Sequence, residues 1–223
     1  MEVRRARAVA RKICEDEYMF KTPFKMDLNK LPLAVMLVVI GVCGRILFIN
    51  YANIETVLAI ALLSGILLGG FYFILVPLFV MLISDWWIYT YTDYGSAFGI
   101  EAILGLTVFT WTGYIMVGLL GRYIKPKVAY TVRGVAVVVG YGLIATLIYD
   151  IWTAVGFYLF MTPRTSEWLI RVFIMQIPFS IYHIMSSLIF VPLLTTIFMY
   201  VHVHGVPYLS GAIAPSDQHD EGG

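Results

Sequence analysis

In the stretch IMQIPFSIYHIMSSLIFVPLL (174–194), Gln176, Ser180, His183 and Ser187 fall at i, i+4, i+7 and i+11, which is one stripe along a helix. Thr146, Asp150 and Thr153 make a second stripe in YGLIATLIYDIWTAVGFYLF (141–160). A carboxylate and an imidazole among hydroxyls can hold a ligand, relay a proton, or pair with each other structurally. Arg45, Glu55, Asp85, Glu101 and Arg171 also sit within or at the edges of apolar runs. A charge at bilayer depth costs ~2.5–3.5 kcal/mol on insertion scales, so such groups face a bundle interior or a wet cavity. As a binding set, Asp85 and Asp150 offer acceptors, while Gln176 and His183 both donate and accept. Arg45 or Arg171 would supply a fork for a carboxylate or phosphate. Trp86, Trp152 and Tyr182 would stack on a flat ring, and Asn53 and Glu55 are candidate lid residues.

The elements that must carry these residues are apolar. Of 223 residues, 60% are hydrophobic and 13% charged, and the mean hydropathy is +0.84. That composition excludes a soluble globular domain and specifies an all-α integral membrane protein. Runs near 20 residues, the number needed to cross about 30 Å of hydrocarbon, number six. They are 32–49, 54–69, 71–90, 96–121, 130–160 and 167–203, with Gly69-Gly70 as a tight link between the second and third. Pro178 predicts a kink in the overlong sixth run. Residues 1–31 read as a basic cytoplasmic tail, 32–203 as a six-helix membrane domain, and 204–223 as a disordered cytoplasmic tail. Eight Lys/Arg fall in the first 30 residues and four around the fourth connection (Arg122, Lys125, Lys127, Arg133), against Arg164 on the opposite side. The asymmetry places both termini in the cytoplasm. The ionisable groups then gather toward the outer side, which predicts a polar cavity opening outward. Trp86, Trp87, Tyr89, Tyr91, Tyr94, Trp152, Phe157, Tyr158 and Trp168 lie at the same level, where an interfacial aromatic belt would also put them. In the tail, Val3, Ala6, Ala10 and Ile13 share a helical face, with Arg4, Arg7, Arg11 and Lys12 off it. This is the pattern of a basic interfacial helix, although a plain solvated tail has the same composition.

Several chemistries lack their motifs. The chain has no GxxxxGK[ST] phosphate loop, no HExxH and no GxSxG elbow. Its two cysteines, Cys14 and Cys43, give neither a disulfide framework nor a CxxC metal site. His202 and His204, at i and i+2, do not share a helical face and make a poor metal pair. No cofactor, metal or nucleic acid is expected. Halves 32–121 and 130–203 show no clear repeat of the kind duplicated secondary transporters carry.

Three stretches resemble one family. NIETVLAIALLSGILLGGFYFILVPLFVMLISDWW (53–87) is similar to the second and third helices of the substrate-binding S components of energy-coupling-factor transporters, the third ending in an acidic residue, here Asp85. Residues 141–160 are similar to the fifth helix, and IPFSIYHIMSSLIFVPLL (177–194) to the sixth, with polar residues in mid-helix and Pro192 near the inner end. The resemblance implies a six-helix subunit in the plasma membrane that captures a small water-soluble vitamin or related micronutrient near the outer face. It would then join a transmembrane coupling subunit and two ATPase subunits. It also implies a docking face for that coupling subunit on the first helix. The family's AxxxA is absent there, and the small residues are Ala34, Gly41 and Gly44. A non-transport scaffold subunit of a cell-wall or cell-shape complex is the competing expectation, followed by an intramembrane enzyme using the Asp/His pair for acid–base work.

Overall fold

The computed structural model describes residues 27–51, 53–92 and 99–204. The predicted interfacial helix, Tyr94 and the C-terminal tail lie outside them. Six helices follow in order: α1 (Leu31–Leu47), α2 (Val57–Leu63), α3 (Tyr72–Tyr91), α4 (Ile100–Ile124), α5 (Val132–Met161) and α6 (Ser166–His204), with no strand among the described residues. Five of them are long and apolar enough to cross a membrane, and the chain is a multi-pass membrane protein.

Local chemistry sets the helix starts. A 3-10 turn at Leu28–Lys30 is closed by the Asp27 carboxylate, which accepts from the Asn29 N–H at 3.1 Å. Pro32 then fits the first turn of α1, where its missing N–H costs nothing. Thr131 caps α5 by accepting from the Gly134 N–H at 3.3 Å. α6 continues through Pro178 and Pro192 over 39 residues, roughly 58 Å at about 1.5 Å per residue, so it outruns the hydrocarbon and must tilt or project.

The second apolar run, expected as a span over 54–69, takes a different form. Its helix begins only at Val57 and continues as a π turn at Ser64–Leu68, so it is roughly 18 Å long at about 1.5 Å per residue, too short to cross alone. The preceding connection dips into the bundle: Thr56 bonds the Gly41 carbonyl at 3.3 Å, although Gly41 lies well before the end of α1. Every residue from Val57 to Leu68 is buried, as expected of a helix apolar on all sides. α2 reaches this central place because α4 offers it glycines. A Cβ on Gly65 would strike the Gly118 carbonyl, one on Gly118 the Phe73 carbonyl, and one on Gly121 the Leu62 carbonyl. The π turn closes through Gly69 N–H to Ser64 O at 3.1 Å, and positive φ at Gly69 and Gly70 (63° and 52°) reverses the chain into α3.

Two ends of the bundle follow from the contacts. At one, Lys30 Nζ donates to Leu68 O (3.2 Å) and Arg122 Nη1 to Gly70 O (3.1 Å), joining the start of α1, the α2–α3 turn and the end of α4. At the other, Asn53 Nδ2 donates to Phe179 O at 3.2 Å, tying the α1–α2 connection to α6.

The structure corrects one further expectation. Ala34, Gly41 and Gly44 are buried on the inner face of α1 with Leu33 and Leu37. A Cβ on Gly41 would meet Val80 of α3, and one on Gly44 would meet Thr56. These small residues serve intramolecular packing and offer no docking face.

Candidate functional site

Three of the charged side chains expected within or beside the apolar runs, Arg45, Glu55 and Asp85, converge near the α1–α2 connection. Arg45, two residues before the end of α1, reaches α3 with one nitrogen: its Nη1 is 2.7 Å from Asp85 Oδ1 and donates to Ser84 Oγ at 2.9 Å. The same nitrogen lies 2.9 Å from Met81 Sδ. The other carboxylate oxygen of Asp85 accepts from Trp111 Nε1 of α4 at 2.7 Å, so both oxygens are partnered. Glu55, in the dipping connection, sits 3.9 Å from Arg45 Nε and accepts a hydrogen bond from the Tyr114 hydroxyl. Its backbone is clamped by Ser186 of α6, whose hydroxyl accepts from Glu55 N–H at 3.0 Å and lies 2.9 Å from the Glu55 carbonyl oxygen.

A second group lies beside the first. His183 Nδ1 of α6 is 2.7 Å from Asp150 Oδ1 of α5, and both side chains are almost fully buried. Asp150 Oδ2 and His183 Nε2 have no hydrogen-bond partner, which is uncommon for buried polar atoms. One helical turn inward, Thr146 and Ser187 hydrogen-bond at 2.7 Å and lock α5 to α6. Two tyrosines bridge the groups: Tyr114 packs against Tyr149 with ring centroids 4.4 Å apart, and Tyr149 meets His183 edge-on at 5.3 Å.

Arg45, Glu55, Asp85, Asp150 and His183 are thus brought together, with Glu55 inside the cluster rather than on a lid. Asn53 lies above it, on the α1–α2 connection. Five expected residues lie elsewhere. Arg171 is exposed, pairs with Glu167 at 2.6 Å one turn earlier, and stands roughly 18 Å along α6 from His183 at about 1.5 Å per residue. Trp86 is 62% exposed and packs edge-on against Tyr91, and Tyr182 is 51% exposed. Both follow a buried acid or precede a buried histidine in sequence, so helical geometry turns them outward, where the aromatic belt accounts for them. Gln176 is half-buried on the His183 stripe two turns away. Trp152 stacks on Phe109 at 4.7 Å and donates to Thr112 at 2.9 Å.

Sequence reasoning passed over Ser84, Trp111, Tyr114 and Tyr149. Trp111 and Tyr114 share a helical face at i and i+3, a signal that an aromatic-rich apolar run obscures.

A separate cavity of about 120 Å³ lies at the basic end, lined by Leu63, Ile66, Leu67, Lys125, Tyr130 and Thr195, among others. Thr195 Oγ1 is buried there without a partner. Among the described residues no three His, Cys, Asp or Glu side chains converge as a metal site.

No curated protein and no solved structure matches the chain. Residues 26–209 match the model of a family described as a family of unknown function (DUF6580), a match that spans most of the sequence, and the chain belongs to that family.

Proposed function

We propose that the chain is the substrate-capture subunit of an ATP-driven importer in the plasma membrane, an S component of the energy-coupling-factor type. It takes a small water-soluble vitamin or related micronutrient from outside and is not itself an enzyme. The path crosses the membrane six times, the second crossing made by the dipping connection together with α2, and both termini face the cytoplasm. Lys30, Arg122, Lys125 and Lys127 at one end support that orientation through the positive-inside bias. The cargo site is the cluster of Arg45, Glu55, Asp85, Asp150 and His183 beneath the connection.

One observation carries the reading. A pair that served only to neutralise itself would be satisfied on both sides, yet Asp150 Oδ2 and His183 Nε2 are buried with no partner. Atoms of that kind are ready contacts for a ligand's polar groups. A non-transport scaffold is the second reading, favoured by the full mutual pairing of Arg45, Asp85 and Trp111.

Isolation from native membranes in mild detergent separates the two. The capture reading predicts a stoichiometric membrane coupling subunit and two ATPases, and micronutrient uptake that stops when ATP is depleted. Cell-wall or cell-shape proteins at stoichiometry, with uptake unchanged after deletion, would establish the scaffold.

A further inference from the structure

The basic end of the bundle carries charge that the described residues do not match. Lys30, Arg122, Lys125, Lys127 and Arg133 stand there against one carboxylate among those residues, Asp27. Three of the cations converge on the α2–α3 turn. Lys30 Nζ donates to Leu68 O at 3.2 Å, Arg122 Nη1 donates to Gly70 O at 3.1 Å, and Lys125 Nζ lies 3.6 Å from the point a Cβ on Gly69 would occupy. Lys30 and Arg122 are thus engaged by carbonyls at the C-terminal end of α2 and its π turn, where cations suit the helix dipole. Lys125 has no bonded partner among the described residues, and its side chain lines the cavity of about 120 Å³.

That cavity lies between the π turn of α2, the α4–α5 connection and α6, and it is amphipathic. Leu63, Ile66 and Met199 give it apolar walls, Lys125 a charge and Thr195 a hydroxyl. Thr195 is 1% exposed, and its Oγ1 makes no hydrogen bond, neither to a neighbour nor back to its own helix. A threonine hydroxyl keeps its proton at physiological pH, so a donor is present there whatever surrounds it. Lys125 and Tyr130 are exposed, which opens the cavity to the surface at the α4–α5 connection. Its volume far exceeds the ~10–15 Å³ that one water needs. A small solvated anion would gain nothing from the apolar walls, whereas a phosphate ester carried on an acylated glycerol uses charge, donor and walls together. Basic pockets between membrane helices bind the head groups of anionic lipids in this way.

We propose that the cavity seats the phosphate of an anionic phospholipid, paired with Lys125 and hydrogen-bonded by Thr195, and that the lipid braces the buried α2 turn against α6. The site lies at the opposite end of the bundle from the cargo cluster and needs only the membrane placement of the chain, so it stands or falls separately from cargo capture.

The test uses the full-length protein in detergent micelles, titrated with phosphatidylglycerol, phosphatidylcholine or glycerol 3-phosphate. Bound species are read by native mass spectrometry and the melting temperature is recorded, because a ligand that binds only the folded state raises it. Phosphatidylglycerol is expected to bind about fivefold or more tightly than phosphatidylcholine and to stabilise the protein, with glycerol 3-phosphate without effect. Lys125→Gln is expected to weaken phosphatidylglycerol binding about tenfold or more, and Thr195→Val about threefold to tenfold, each variant checked by its own cooperative melt. Thr195→Val removes no charge, so attraction to a diffuse basic surface would leave its binding unchanged. Arg133→Gln, at the same end but outside the cavity, is expected to stay within about twofold of wild type. Unchanged binding by Thr195→Val, or equal losses for Lys125→Gln and Arg133→Gln, overturns a seated head group. Glycerol 3-phosphate that binds and stabilises as well as phosphatidylglycerol overturns the lipid source and assigns the site to a soluble phosphate ester. No preference for phosphatidylglycerol over phosphatidylcholine overturns the proposal outright.

Discussion

Breaking the Arg45–Asp85 pair should be among the costliest single changes in this protein. The pair lies 2.7 Å apart with side chains 19% and 10% exposed, and each partner makes further bonds to Ser84 and Trp111. Removing one member of a buried pair typically costs about 3–5 kcal/mol, because the other is left charged in a poor solvent. Here Glu55, 3.9 Å from Arg45, stays behind as a partial substitute, so Asp85→Asn should cost less, about 2–3 kcal/mol. Arg45→Met leaves Asp85 and Glu55 uncompensated and should cost about 3–4 kcal/mol. The double variant removes both charges and should lose only about 1–2 kcal/mol, giving a coupling energy of about 4–5 kcal/mol. Reversible unfolding in mixed detergent micelles with increasing denaturing detergent measures all four corners of the cycle. Single variants within about 0.5 kcal/mol of wild type, with additive effects, would show that the pair is effectively solvated and that the buried-cluster reasoning is wrong.

Other consequences are smaller or more local. Thr195→Val removes a buried hydroxyl that has no partner and should leave stability unchanged or raise it by up to about 1 kcal/mol, whereas Thr146→Val breaks the bond to Ser187 and should cost about 1 kcal/mol in the same assay. Gly118→Ala drives a methyl into the Phe73 carbonyl and should abolish a cooperative melt or lower its midpoint by more than 10 °C, roughly the effect of several kcal/mol. Gly140→Ala, with open space around it, should be neutral or stabilise by up to about 1 kcal/mol. Arg171→Ala removes an exposed pair and should shift stability by no more than about 0.5 kcal/mol, with ligand affinity unchanged; a tenfold affinity loss would return Arg171 to the site.

What the sequence made legible depends on whether hydrocarbon or protein surrounds a residue. Five long helices follow from apolar length alone, and the charged members of the cluster stand out because lipid tolerates them poorly. Asp150 and His183 were legible for that reason. The start of α2 was not, because Ile54, Glu55 and Thr56 continue an apolar run, and tertiary bonds from Thr56 to α1 and from Glu55 to Ser186 of α6 draw them into the interior as loop. Ala34, Gly41 and Gly44 misled for a related cause. In a membrane both faces of a helix are apolar, so small residues mark close packing without saying whether the partner is α3 or another subunit. Trp86 and Tyr182 show the same ambiguity for aromatic rings, which suit an interface belt as well as a ligand wall, while Trp111 and Tyr114 were hidden by looking ordinary in such a run.

The most direct test of ligand capture is mass spectrometry of small molecules released from gently purified protein, followed by adding each compound back while the melting temperature is recorded. The account predicts a recurrent compound that stabilises wild type with a saturable dose response, and that fails to stabilise Asp150→Ala or His183→Ala protein that still melts cooperatively. Reproducible absence of any released compound, together with no response to a broad vitamin and nucleobase panel, would contradict it and assign the cluster to a scaffold.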